Sequence, residues 1–516
     1  MMMKLLGAAF FVLHSSFFVS CTDSFLDKAP DDRTEIDSKE KVIELFTASY
    51  PDANYGWVCE LSSDNVMDLN SQHLPASASA KQELTHYNLS SSGRQDDEMF
   101  RFEPVKSSTS SDTPASIWTS FYGSINSVNE GLAALDKMER EGYTPDASFR
   151  AARAEGLLIR AYDHFILVNC FSQAYKNDEL SKADIGIPYI TEPITVVDGN
   201  YNRSNVTETY KMIRKDLEAG LKDMSDMNFE KPKWHFNTEA GHAFAARFYL
   251  FKRDYDQVIA HANKVLGTTA SEAASVMFDA ANCKDKGNIE LELYAWTDVA
   301  SPSNLLILST YSFALYGYAS TSCRYTFNRA PRDYTVNGAG PCWDSSFPGA
   351  SIWRFDANFG GFFSKLYEPF EYTDKVAGIG FPHSLRREFT TGETLLCRSE
   401  AEIMKGDIAA AVSDMDVWAK SYLCTKDLTD SRITSFFKKG KNVHHTPVLH
   451  NEDMCPTWKI SDAQMPYIWC VLHLRRIETL HDGMRFFDIK RYGIEIKHEI
   501  GYPVAPALKK IRSLSG

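Results

Sequence analysis

The chain has 516 residues, 44% of them hydrophobic and 13% aromatic, which is enough apolar material for a substantial core and length enough for about three domains. Its formal net charge is -13, with lysine and arginine dispersed among acids, which argues against a phosphate-binding surface and so against nucleic acid as a partner. Ten cysteines are too few for a disulfide-dense scaffold in so long a chain. No C-x-x-C spacing occurs, and structural zinc has no support.

The first segment places Lys4 before an apolar run from Leu5 to Val19, then Ser20 and Cys21. The run is interrupted by His14, Ser15 and Ser16 and is short for a bilayer span of about 20 residues, so 1–20 reads as a cleaved export signal. Cys21 at the cleavage point is the expected lipid-acceptor of a bacterial lipoprotein; the alternative is an ordinary signal with Cys21 incidental. Residues 21–37 then form a tether. If Cys21 is acylated, nine cysteines remain, an odd number. Cys323 and Cys342 share one loop-like insert and could bridge, although unpaired burial is the favoured state for both.

Helices follow in order. Ser38 is a plausible N-cap for a first helix carrying Ile43, Phe46 and Tyr50, and Pro51 ends it. The polar run Asp64, Asn65, Asp68, Asn70 lacks the turn glycine and closing glutamate of a calcium loop, and it reads as a polar loop. Residues 71–113 are serine-rich and aperiodic, which predicts loop. Thr113 and Pro114 open a helix whose Trp118, Phe121, Ile125, Val128, Leu132 and Leu135 make one apolar face. The stretch from Ala147 to Cys170 repeats that pattern with Leu158, Ala161, Tyr162, Phe165 and Val168, and the chain is organised around it. Two prolines keep Ile185 to Pro193 extended. Asn205 and Glu208 have the spacing of a capping box before a helix to Met224.

Two helical hairpins come next. One runs from Thr238 to Leu266, turning at Lys252, Arg253 and Asp254; the other runs from Glu393 to Tyr422, turning at Lys405, Gly406 and Asp407. Both are similar to tetratricopeptide-type helix pairs. The insertion between them, 290–392, begins with Leu291, Leu293, Ala295 and Val299, a possible short strand, and is then rich in aromatics, Gly and Pro. Its rings Trp296, Tyr316, Tyr318, Trp343 and Trp353, with Asp344 and Arg354 nearby, are the expected ligand-stacking and hydrogen-bonding groups, to which the polar loop adds Asp64 and Asn65. The bland reading is that these rings fill a secondary core. In the last segment, Arg475, Arg476, Glu478, Arg485, Asp488 and Arg491 alternate with aromatics at helical spacing, which predicts a structural charge network and not an acid–base site.

Several segments together resemble the SusD/RagB family of nutrient-binding lipoproteins from Bacteroidota. They are Cys21 with Phe25, Leu26 and Asp27; Trp118 to Asn129; Glu155 to Tyr162; Gly186, Ile187 and Pro188; Arg203 to Leu217; Leu395 to Asp407; and Arg475 to Glu478 with Arg485 to Asp488. The resemblance implies a mainly α SusD-like fold with tetratricopeptide-like helix pairs and a large loop-rich insertion. It divides the chain into signal (1–20), tether (21–37), N-terminal helical region (38–289), aromatic insertion (290–392) and C-terminal helical region (393–516). It further implies a lipid-anchored outer-membrane protein facing the exterior, which binds an oligosaccharide for a TonB-dependent transporter of the SusC-like kind. Catalytic residues, metals and cofactors are not expected: there is no H-E-x-x-H, no G-x-S-x-G and no phosphate-binding glycine loop. The competing readings are a scaffold or binder of peptides or other nutrients on the same transporter, and a glycoside hydrolase.

Overall fold

The computed structural model describes residues 35–70, 89–91, 93–106, 111–195, 199–284, 286–312, 323–327, 329–349, 352–353, 362–440, 442–500 and 512–513. The expectations for the signal peptide, Cys21, Tyr316, Tyr318 and Arg354 lie outside these residues, and so does the side chain of Trp353. The chain divides between Asp37 and Ser38, and every element below belongs to the second unit.

Helices α1 (Lys39–Thr47) and α2 (Gly56–Leu61) precede a third, α3 (Arg94–Phe100), which lies inside the serine-rich stretch expected to be loop. The correction has a local cause. Asp96 accepts from Gly93 N at 3.2 Å and from the Trp57 indole at 3.1 Å, so a seven-residue helix is capped by its own acid and pinned by a neighbour. Two long helices, α4 (Pro114–Arg140) and α5 (Ala147–Phe171), then pack side by side with α6 (Val206–Asp223). Thr113, Asp146 and Asn205 cap them through side-chain oxygens that accept from the first-turn amides. On α4 the inward line is Ile117, Phe121, Ile125 and Val128, while Trp118 is half-buried against Tyr122 and Phe171.

Close approach of α4 and α5 depends on two glycines. A Cβ on Gly131 or Gly156 would stand 2.4 or 2.7 Å from the Phe46 ring, so the bare backbones form the seat into which α1 drives that ring. Around Tyr162 and Phe165, the rings of Phe236, Phe244, Phe248 and Phe389 complete the central core.

The two predicted hairpins are α7 (Thr238–Lys252) with α8 (Tyr255–Leu266), and later α10 (Thr391–Lys405) with α11 (Ile408–Ser421). Each turns through one left-handed residue followed by an aspartate N-cap: Arg253 (φ 62) then Asp254, and Gly406 (φ 87) then Asp407. A left-handed arginine costs about 1 kcal/mol more than glycine. Its guanidinium offsets this by donating to the Tyr175 carbonyl at 3.0 Å and lying 4.1 Å over Trp458. Arg398 ties the hairpins together, bidentate to Asp414 at 2.7 and 2.9 Å and donating to Asn263 and to the Gly267 carbonyl.

Between the hairpins, the stretch from Leu291 is helical, not a strand. Asn288 caps α9 (Ile289–Trp296), Glu290 and Glu292 favour its N-terminal turn, and Leu293 and Trp296 bury at helical spacing while Leu291 is 53% exposed. The true strand is β1 (Asn304–Thr310). It pairs antiparallel with β4 (Ser384–Thr390), so the two ends of the insertion are zipped together. Within the insertion, β2 (Phe370–Asp374) and β3 (Ile379–Pro382) form an antiparallel hairpin that pairs with nothing else among the described residues. The final elements are α12 (Asp430–Phe436), α13 (Met465–Glu478) and α14 (Met484–Tyr492). Among the described residues, no helix is long and apolar enough to cross a membrane.

Candidate functional site

Helix α13 starts at Pro466 in its first turn and buries every side chain from Tyr467 to Glu478. Successive residues on a helix point about 100° apart, so the adjacent Arg475 and Arg476 serve different surroundings. Arg475 turns inward to Glu400 and to Asp488, the latter at 3.0 Å. Arg491 and Tyr492 close on the same Glu400 at 3.1, 3.0 and 2.6 Å. Burial alone would raise the Glu400 pKa, but the two guanidiniums outweigh it and hold the carboxyl at about 2. The structural network expected from the sequence is therefore present.

Arg476 turns the other way. Its guanidinium donates to Asn65 Oδ1 at 2.7 Å and to the Asp64 carbonyl at 2.9 Å, and lies 3.1 Å from the Asp64 carboxylate. Arg485 grips that carboxylate from α14 at 2.7 and 3.0 Å. Burial opposes ionisation of Asp64, yet the two guanidiniums keep its pKa well below the usual carboxylate range.

This pair forms part of the wall of a cleft of about 920 Å³. The remaining walls come from Tyr334, the segment after α12, the start of α13 and residues 495–499. Tyr334 and His444 lie face to face, 3.5 Å between centroids and 7° between planes. The Tyr334 hydroxyl donates to Glu499 at 2.8 Å, and the Trp469 indole donates to the Pro447 carbonyl at 3.0 Å, so both rings are fixed before anything binds. Val443 and Val448 are 60% and 55% exposed at the rim. Behind the wall, His445 and His473 meet edge to face at 4.6 Å. Burial, helped by the Arg476 charge, lowers the His445 pKa to about 4, and burial likewise holds His473 well below its ordinary value, so both imidazoles are neutral near pH 7. Fixed aromatic faces beside anchored polar groups suit a ligand with alternating apolar and hydroxylated surfaces.

Of the residues expected to bind ligand, Asp64 lines this cleft and Asn65 supports it through Arg476. Trp296 and Trp343 do not join them. Trp296 is 3% exposed, stacked on Phe278 at 4.4 Å with the Arg387 guanidinium 4.5 Å above it. Trp343 is 5% exposed, donates to the Gly338 carbonyl at 2.8 Å and packs on Phe347 and His473. Neither offers solvent a face; both belong to the secondary core that was the bland alternative. Asp344 is exposed but ion-paired to Lys426. Cys342 is not bridged to Cys323: it is a buried thiol beside Cys424.

Sequence reasoning missed Tyr334, His444 and Trp469. The run from Lys438 to His450, with Gly440 and Pro447 between two helices, was a loop signal that could have found the second of these. Nothing in the sequence pairs Tyr334 with it.

Residues 24–250 match the sequence model of a SusD-like family described as starch-binding and associating with the outer membrane. Among solved structures, a provisionally assigned sugar-binding protein of Bacteroides vulgatus is 18% identical, with a TM-score of 0.59 over 89% of this chain and 87% of its own. A SusD superfamily protein of Bacteroides fragilis is 16% identical, with a TM-score of 0.55 over 92% and 93%. The chain has a SusD-like fold. A laminarin-binding SusD-like protein also shares the fold, at 16% identity and a TM-score of 0.50 over 88% and 90%. No protein of curated function matches the sequence. Most of the cleft wall, from Ala330 to Glu499, lies beyond the matched residues, which contribute only Asp64 and Val66 to the lining.

Proposed function

We propose that this SusD-like protein captures an oligosaccharide without turnover in the cleft beside Asp64 and delivers it to a TonB-dependent transporter in the outer membrane. The observation that carries the reading is the pre-set stack of Tyr334 and His444 next to the Asp64–Arg476 pair, with Trp469, only 8% exposed, contributing to the lining. Aromatic faces stack on the apolar faces of pyranose rings, and the flanking polar groups order hydroxyls. The starch-binding description of the matching family and the laminarin-binding relative point to the same ligand class.

Binding without turnover fits the carboxyl chemistry. A glycosidase needs a carboxylic acid kept protonated near neutral pH beside a second carboxylate. Burial raises Glu60 and Glu368 to about 7 and Glu402 to about 8, but none of the three lines the cleft; of the carboxylates that do, Asp64 is held ionised by its two guanidiniums and Glu499 accepts from the Tyr334 hydroxyl, beside Asp462 and Glu495. For the transporter, the β2–β3 hairpin offers a protein-binding surface: Phe370, Tyr372, Ile379 and Phe381 are 45–61% exposed and Val376 is fully exposed. Acylation at Cys21 would hold the chain at the membrane surface.

The test is calorimetric titration of residues 22–516 with starch and laminarin oligosaccharides, alongside Tyr334→Ala and Trp469→Ala. Saturable binding by the parent, weakened in both folded variants, is expected. Equal binding in all three proteins, or release of reducing sugar, overturns the reading.

A further inference from the structure

Helices α7 and α8 bring two histidines together, and neither helix contributes to the cleft. His242 on α7 and His261 on α8 stand 19 residues apart, and their Nδ1 atoms meet at 3.0 Å across the hairpin. Both side chains are half-buried, within reach of solvent. His242 and Tyr249 lie two turns apart on one face of α7, and the His261 ring reaches both: it is 5.2 Å from His242 and stacks on Tyr249 at 5.5 Å and 9°. Tyr249 is itself fixed. Its hydroxyl donates to Glu218 of α6 at 2.7 Å, and Arg214 donates to the same oxygen at 2.7 Å. Neither histidine has a protein partner for its Nε2 among the described residues.

Two Nδ1 atoms at this separation can share a proton, one ring donating and the other accepting. Their lone pairs can also converge on a metal ion, for which neutral imidazole is a common ligand. With metal–nitrogen bonds of about 2.0–2.1 Å, the observed separation of 3.0 Å subtends about 95° at the ion. That is close to the angle between neighbouring ligands of a tetragonal ion such as Cu(II) or Ni(II), whereas a tetrahedral Zn(II) asks for about 3.4 Å between the nitrogens. Burial, helped by the His261 and Lys264 charges, lowers the His242 pKa to about 4, and burial lowers that of His261, so near pH 7 both rings have lone pairs to give. The nearby Glu218 carboxylate favours positive charge at His261, and Lys264 opposes it. Among the described residues, no third histidine, cysteine or carboxylate completes a ligand set, so water would fill the remaining positions.

We propose that His242 and His261 form a two-imidazole chelate for Cu(II) or Ni(II) that bridges the two helices of the first hairpin. The ring that donates in the metal-free pair moves its proton from Nδ1 to Nε2, and the ion binds both Nδ1 atoms, so no net proton is released. A bound ion would clamp α7 to α8 and stabilise the folded protein in proportion to its occupancy.

The experiment titrates the untagged, folded protein with Ni(II) and with Zn(II) near pH 7 by calorimetry. A Ni(II) site is expected in the parent, weakened about 100-fold in His242→Ala and in His261→Ala because each leaves a single imidazole, and Zn(II) should bind the parent more weakly than Ni(II). Circular dichroism confirms that each variant is folded. A second measurement uses the parent alone: diethyl pyrocarbonate modification of His242 and His261, mapped by mass spectrometry, should be slowed at both rings by Ni(II). Equal Ni(II) affinity in the parent and both folded variants, or unchanged modification of the two rings in the parent with Ni(II) present, overturns the chelate. Zn(II) binding as tightly as Ni(II) overturns the tetragonal assignment.

Discussion

Arg475 and Arg476 are neighbours in sequence and opposites in function. Arg475 enters a closed network in which Glu400, Asp488, Arg491 and Tyr492 pair with one another, every member 4% exposed or less. Arg476 enters an open one, where the Asp64 side chain remains 19% exposed and forms part of the cleft wall. The same chemistry, a carboxylate held between two guanidiniums, serves packing in one case and the wall of an open cleft in the other. What separates them is whether a further layer of protein covers the pair.

Breaking the closed network should cost most. Glu400→Gln leaves Arg475 and Arg491 buried with weakened partners, and urea denaturation should show a loss of about 3–5 kcal/mol. Asp64→Asn strands Arg476 and Arg485 in a partly solvated place. Its stability loss should be smaller, about 1–3 kcal/mol, and oligosaccharide affinity should fall with it. Tyr334→Ala and Trp469→Ala sharpen the contrast from the ligand side: affinity falls about 10- to 100-fold in titrations, whereas Trp296→Phe leaves affinity unchanged, because Trp296 belongs to the core.

The histidines behind the wall give a pH signature. The folded-state pKa of His445 is depressed to about 4 from 6.5, so the unfolded chain takes up the proton first as pH falls. Its contribution is complete above pH 6.5 and is lost as pH falls toward about 4. His445→Phe should therefore flatten the loss of stability between pH 7 and pH 5 by about 1–2 kcal/mol relative to the parent, read as denaturation midpoints at the two pH values. Smallest of all, Tyr372→Ala on the exposed hairpin should change stability by less than about 0.5 kcal/mol, while copurification with the transporter proposed as its partner should weaken.

Much of the scaffold was legible because helices carry their own instructions. Thr113, Asn205, Asp254 and Asp407 announce helix starts, and the three-and-four spacing of Leu158, Tyr162 and Phe165 announces a buried face. The reading slipped where two periods compete: Leu291, Leu293 and Ala295 alternate like a strand, yet the Asn288 cap and the burial of Trp296 decide for helix. The site was less legible. Large rings in a loop-rich insertion suggest a shelf, but Trp296 and Trp343 are apolar enough to be drawn inside, and sequence carries no measure of how much protein will lie above a residue.

The sequence by itself determined the helices, their caps, the hairpin turns and the charge-paired C-terminal segment, because each depends on neighbours within a few residues. Only tertiary structure decided that Asp64 would meet Arg476 and Arg485, and that Tyr334 would lie on His444. Those pairings join residues far apart along the chain, and they exist only once packing has paid the entropy of bringing distant segments together.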